Sequence, residues 1–154
     1  MTIEDDIAFF QRVPTLSMLE RDALRILAIG AESLYVHGGA VLFHTGEAAD
    51  CAFVVQEGSF NLTAKSASEE PTVVGPGTLI GELALFSETR RPATATATEP
   101  STVMRIPRNL FLKMLEGYPD AAVRMREALV ARANETAREF AKVRAGLAGG
   151  LPRK

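Results

Sequence analysis

Apolar and polar residues alternate along this chain in two rhythms, and the switches between them divide it into three parts. Residues 3–11 mix acidic and apolar positions and end at Val13-Pro14, which predicts a short helix. Leu16, Leu19, Ala23, Ile26 and Leu27 then recur at helical spacing, with Thr15 or Ser17 placed to cap this second helix and Gly30 to close it. From Ala31 to Pro107 the rhythm shortens to small apolar runs cut by turn residues at intervals of roughly ten, the pattern of an all-β region. The predicted strands are Ser33–His37, Val41–His44, Ala52–Gln56, Phe60–Ala64, Thr72–Val74, Ala93–Ala97 and Thr102–Ile106. Gly38-Gly39, Gly46-Glu47, Glu57-Gly58, Ser66–Pro71 and Gly75–Gly77 separate them. Many short strands in a segment of this size predict a barrel or jelly roll rather than an open sheet.

After Pro107 the helical rhythm returns. Asn109–Leu115 predicts a short helix broken at Gly117, and Pro119-Asp120 opens a longer one. Ala122, Met125, Leu129, Arg132, Thr136, Phe140 and Val143 form one stripe along it, and Gly146, Gly149 and Gly150 end it. The stripe suits either a homodimer contact or packing on the chain's own β region. The predicted fold class is α+β: a small antiparallel β-roll or jelly-roll barrel, flanked by N-terminal helices and a long C-terminal helix. One domain is expected over residues 1–145, with helices in 3–29, the β-roll in 31–107, C-terminal helices in 108–145 and a frayed tail over 146–154.

Composition narrows the function classes. With 17 Lys+Arg against 19 Asp+Glu the net charge is -2, which disfavours a domain whose main task is gripping DNA. Cys51 is the single cysteine, so no internal disulfide can form and a reducing, cytoplasmic setting is expected. The N-terminus lacks the basic and apolar regions of a signal peptide, and no apolar run is long enough to span a membrane. His37, His44 and Glu47 raise the possibility of a metal-dependent enzyme on a small β barrel, but the histidines are seven residues apart and flank a hairpin, which argues against it. Cys51 has no arranged base in the sequence and reads as an inert thiol.

The segment Gly81 to Ala97, GELALFSETRRPATATA, concentrates the chemistry. Gly81 lets backbone approach a ligand closely. Leu83-Ala84-Leu85-Phe86 can form one helical turn whose first amides point outward and favour an anion. Arg91 can grip a phosphate through a two-pronged contact, and Glu82 can accept a hydrogen bond from a sugar hydroxyl. A structural ion pair between Glu82 and Arg91 is the alternative reading of the same two residues.

These residues resemble the phosphate-binding cassette of the cyclic nucleotide-binding domain, shared by catabolite-activator-type regulators, cyclic-nucleotide-dependent kinases and cyclic-nucleotide-gated channels. The match is Gly81-Glu82-Leu83-Ala84-Leu85 followed by Arg91-Pro92-Ala93-Thr94, supported by Gly46-Glu47 with Asp50, by Phe53 to Gly58, and by Gly75-Pro76-Gly77. The resemblance covers about residues 1–145. It implies that Glu82 accepts the ribose 2′-hydroxyl, that the amides of Leu83 and Ala84 meet the cyclic phosphate, and that Arg91 pairs with its charge. Ile80 and Leu62 would line the base, with Thr72 on a strand that approaches it. Arg132 and Thr136 fall where a catabolite-activator-type protein places an arginine and a base-contacting threonine, while Ala137 replaces the serine that follows there. Pro92 departs from the family, which has Ala, Ser or Thr after the arginine. It brings neither hydroxyl nor N–H, which leans toward cAMP over cGMP or toward poor discrimination, and could also weaken phosphate binding.

The function implied is a regulatory sensor that binds a cyclic nucleotide, cAMP or possibly cGMP, without bond chemistry and without a cofactor. It would signal through its C-terminal helix to a downstream protein partner or a homodimer. Too little sequence follows that helix for a helix-turn-helix domain, so this chain alone is not expected to bind DNA, and no membrane contact is expected. The alternatives are a scaffold that kept the fold and lost the ligand, and a DNA-binding regulator lacking its second domain.

Overall fold

A computed structural model describes residues 2–64 and 71–131. The chain divides into two compact units, Met1–Tyr118 and Pro119–Lys154.

The first unit opens with α1, Ile3–Phe10. Thr2 and Asp5 cap it reciprocally: the Asp5 amide donates to Thr2 Oγ1 and the Thr2 amide donates to the Asp5 carboxylate. α2 spans Arg21–Gly30 and differs at both ends from the predicted second helix. Neither Thr15 nor Ser17 caps it. Leu16–Met18 form a separate 3-10 turn, Leu19 is extended, and the helix starts after Glu20. Ala23, Leu24, Leu27 and Ala28 face inward, while Ile26 sits on the partly exposed side. Gly30 is the last helical residue rather than a left-handed cap, with Ala31 following in extended conformation. Its smallness serves packing, since a Cβ there would lie 2.8 Å from both methyls of Leu110.

Among the described residues ten strands follow in order: β1 Glu32–Val36, β2 Val41–Phe43, β3 Ala48–Ala49, β4 Cys51–Glu57, β5 Phe60–Ala64, β6 Thr72–Val74, β7 Leu79–Ile80, β8 Thr89–Arg90, β9 Ala93–Ala97 and β10 Ser101–Pro107. The two-residue strands β3, β7 and β8 are too short to show alternation in a sequence. The strands form two four-stranded sheets, β1-β10-β4-β7 and β2-β9-β5-β6, and a ribbon of β3 with β8, with all pairings antiparallel. This is the expected α+β fold, a β-roll in which two sheets enclose Val36, Phe43, Cys51, Phe53, Val55, Phe60, Ile80, Ala95, Ala97 and Val103. Residues Cys51 to Val55 are all buried, so β4 is covered on both faces. α3, Arg108–Glu116, packs on α2, β10 and the 3-10 turn Glu82–Leu85. Phe10, Leu24, Leu27 and Phe111 are wholly buried among these helices. Each such side chain contributes about 1.5–3 kcal/mol.

The turn from β4 to β5 rests on Gly58, whose φ is +87°. A Cβ there would sit 2.0 Å from Ser101 Oγ and 2.7 Å from Ser101 Cα. Gly58→Ala is expected to cost about 3 kcal/mol, combining left-handed strain with overpacking against backbone. A shift of the urea midpoint at unchanged slope would show it, and an unchanged midpoint would refute this account of the turn.

In the second unit a helix runs over 119–131 of the described residues, with Pro119 at its first position as predicted. No helix among the described residues is long and apolar enough to cross a membrane.

Candidate functional site

Gly81, at φ +80° and ψ +35°, turns the chain from β7 into the 3-10 turn Glu82–Leu85. The Ala84 amide, expected to face a phosphate, donates to the Gly81 carbonyl at 3.0 Å and closes this turn. The Leu83 amide precedes that first bond, in a position that a helical turn leaves unpaired. Ala84 is buried, whereas Leu83 is 59% exposed.

Arg91 is held from both its backbone and its side chain. Its amide donates to the Glu47 carbonyl and its carbonyl accepts from the Gly46 amide, both at 2.8 Å. This gives the Gly46-Glu47 motif its use: the tight turn, with Gly46 at φ +90°, anchors the arginine's backbone. Arg90 beside it donates to the Gly46 carbonyl at 2.8 Å from an exposed position. The Arg91 side chain is only 5% exposed. Its guanidinium lies 4.3 Å from the Phe43 ring centre and 5.4 Å from that of Phe53. Nη2 donates to Cys51 Sγ at 3.3 Å, and Nη1 has no hydrogen-bond partner among the described residues. Burial pushes the Cys51 thiol above its ordinary range, with the nearby Arg91 charge opposing the shift. The thiol therefore stays protonated and neutral at physiological pH.

Among the described residues no carboxylate lies within ion-pair distance of Arg91. The Glu82–Arg91 ion pair, the alternative reading, does not form; Glu82 instead accepts a hydrogen bond from Thr15 Oγ1. Removing a guanidinium from water costs several kcal/mol. Two aromatic faces return about 2 kcal/mol when desolvated. The remainder, together with the bare Nη1, leaves room for an anion as the missing partner.

Two cavities meet at this arginine and share Leu79, Gly81, Arg91 and Pro92. The wider, about 360 Å³, adds Glu82, Leu83, Ala84 and Arg90. The smaller, about 160 Å³, is apolar and adds Phe43, Leu62, Thr78, Ile80 and Ala93. Together they fall in the size range of small-ligand sites. The predicted site residues Gly81, Glu82, Leu83, Ala84, Arg91, Pro92, Ala93, Ile80 and Leu62 thus converge. Thr72 does not line either cavity. It pairs with Leu62 across the edge of its sheet and is exposed. Arg132 and Thr136 lie outside the described residues.

Sequence reasoning missed Phe43, Cys51, Phe53, Thr15 and Arg108. Cys51 and Phe53 share a face of β4 by their two-residue spacing, which was visible. Nothing in the sequence marks Arg108, whose side chain donates to the carbonyls of Ala84 and Ala49 and so ties the cassette turn to α3 and β3. The two histidines take separate partners: His37 stacks edge-on against Tyr35, and His44 sits 3.4 Å from Glu47. Among the described residues no group of three metal-ligating side chains occurs.

The site is thus a buried arginine of a β-roll, with no carboxylate partner among the described residues, placed where two cavities meet. The family model of the cyclic nucleotide-binding domain matches residues 33–118, and the chain belongs to that family. A solved cyclic nucleotide-binding-like protein from Brucella abortus is 36% identical, with a TM-score of 0.65 over 73% of this chain and 98% of that one. The N-terminal domain of a transcriptional regulator from Streptomyces coelicolor is 28% identical, with a TM-score of 0.74 over 86% of this chain and 94% of that one. Lysophospholipase nte1 of Neosartorya fischeri is 29% identical over 119 residues, or 75% of this chain. The chain spans 8% of that relative's length.

Proposed function

We propose that this domain binds cAMP in preference to cGMP and acts as a regulatory sensor without bond chemistry or cofactor. The buried Arg91 with an unpaired Nη1 carries the reading. The cyclic phosphate takes Arg91 and the Leu83 amide, the ribose 2′-hydroxyl donates to Glu82, and the base enters the apolar cavity beside Leu62, Ile80 and Ala93. Pro92 lines both cavities without a hydroxyl, which removes one donor that would favour guanine. Occupancy is passed to the helix that begins at Pro119, and from there to a downstream protein or a second copy of the chain in the cytoplasm. By the family resemblance, Arg132 and Thr136 would add contacts to the base.

Calorimetry with cAMP and cGMP tests this directly. The expected result is saturable heat with cAMP and weaker binding of cGMP. Absence of heat for both at about millimolar ligand, where affinity is only about −4 kcal/mol, would leave the scaffold reading in its place.

A further inference from the structure

Cys51 is the chain's single cysteine, stands first in β4 and is only 4% exposed. Its sulfur accepts a hydrogen bond from Arg91 Nη2 at 3.3 Å. Arg91 Cζ also lies 4.3 Å from the Phe43 ring centre and 5.4 Å from that of Phe53. These three side chains form a seat without a charge. The other guanidinium nitrogen, Nη1, has no hydrogen-bond partner among the described residues. It lies against Gly81, where an added Cβ would be 2.4 Å away, and Gly81 and Arg91 line both cavities. The arginine is therefore held at one nitrogen, while the other stands at the cavity wall.

Resting on the cyclic nucleotide reading above, we propose that Cys51 is a positioning residue for Arg91, holding the guanidinium by a neutral contact that leaves its charge for the phosphate. A carboxylate at this place would do the opposite. It would form a charge-assisted pair with Nη2, and the phosphate would then meet a neutralised arginine beside a like charge. An alanine would remove the contact and let the planar fork turn. The thiol lies between these extremes. Sulfur is a weak acceptor, so it orients the fork without competing for its charge. Burial raises the thiol against the opposing Arg91 charge, which keeps the contact neutral.

Calorimetry with cAMP on the full chain and its Cys51 variants tests this. Asparagine and aspartate have nearly the same shape and differ in charge. Cys51→Asn should stay within about tenfold of wild-type affinity, whereas Cys51→Asp should lose about 100-fold or more. A packing role alone would make the two fall together. Cys51→Ser keeps a neutral acceptor and should bind within about twofold of wild type, and Cys51→Ala should lose about three- to tenfold. Thermal melting gives a second readout. Cys51→Asp should melt within a few degrees of Cys51→Asn when Arg91 is present, and well below it in an Arg91→Met background, where the carboxylate has no partner. Equal cAMP affinity in the Asn and Asp variants would overturn the assignment. So would wild-type affinity in Cys51→Ala, or tighter binding, which would make Cys51 a competitor of the phosphate. If Cys51→Asp does not fold, equal affinities in the Ala and Ser variants overturn the role. Wild type that binds no cAMP would overturn the binding reading itself, and this inference with it.

Discussion

Replacing Arg91 with methionine is expected to weaken cAMP binding by about 100-fold or more while leaving the ligand-free protein at least as stable. The two halves of this result come from one fact. The guanidinium is buried against two phenylalanine rings and a neutral thiol, with no carboxylate beside it among the described residues. Truncating one partner of a buried charge pair costs about 2–5 kcal/mol, which is roughly 30-fold to several thousand-fold in affinity. Without ligand there is no pair to break. Methionine has similar reach, removes the desolvation penalty, and keeps favourable sulfur contacts with Phe43 and Phe53. Calorimetry on one side and thermal melting of the ligand-free chain on the other measure both halves. A variant that melts several degrees lower and still binds cAMP would show that Arg91 is structural. Arg91→Lys should fall between, since a point charge on a flexible stem lacks the planar two-pronged fork.

The same arginine shows what a sequence can and cannot convey. Gly81, Glu82 and Arg91 were legible because they sit within one short segment whose residue types suit a sugar phosphate. The environment of Arg91 was not. Phe43 belongs to β2 in one sheet, and Cys51 and Phe53 to β4 in the other. Only the closure of the roll brings them under the guanidinium, and pairing between sheets leaves no trace in local periodicity. Thr15, like Ser17, suits a helix cap by its residue type. Its backbone instead adopts a conformation that propensity disfavours, and its hydroxyl goes to Glu82. Gly30 was legible as the end of a helix but not as the contact for Leu110 that its missing side chain permits. The β-roll itself was readable from turn spacing and short apolar runs. Its two-residue strands were not, because two residues cannot show alternation.

Gly81→Ala is expected to remove binding and also to cost about 1–2 kcal/mol of stability, for two separable reasons. The residue sits at φ +80° and ψ +35°, a left-handed conformation costing about 1–2 kcal/mol for any side chain. The added Cβ would also lie 2.4 Å from Arg91 Nη1, far inside contact distance. The guanidinium is the free end of a flexible side chain, so it yields, and in yielding it leaves the place where the phosphate should meet it. A displacement of about 1 Å is enough to forfeit a two-pronged contact whose worth lies in its geometry. Gly39→Ala separates the two causes. Gly39 has nearly the same φ, +86°, but a Cβ there meets nothing within 4 Å. It should lose a similar amount of stability by urea titration and keep its cAMP affinity. If both alanine variants bind like wild type, the approach of Gly81 to Arg91 has no part in the site. If both lose binding together, the loss reflects a weakened fold rather than a displaced arginine.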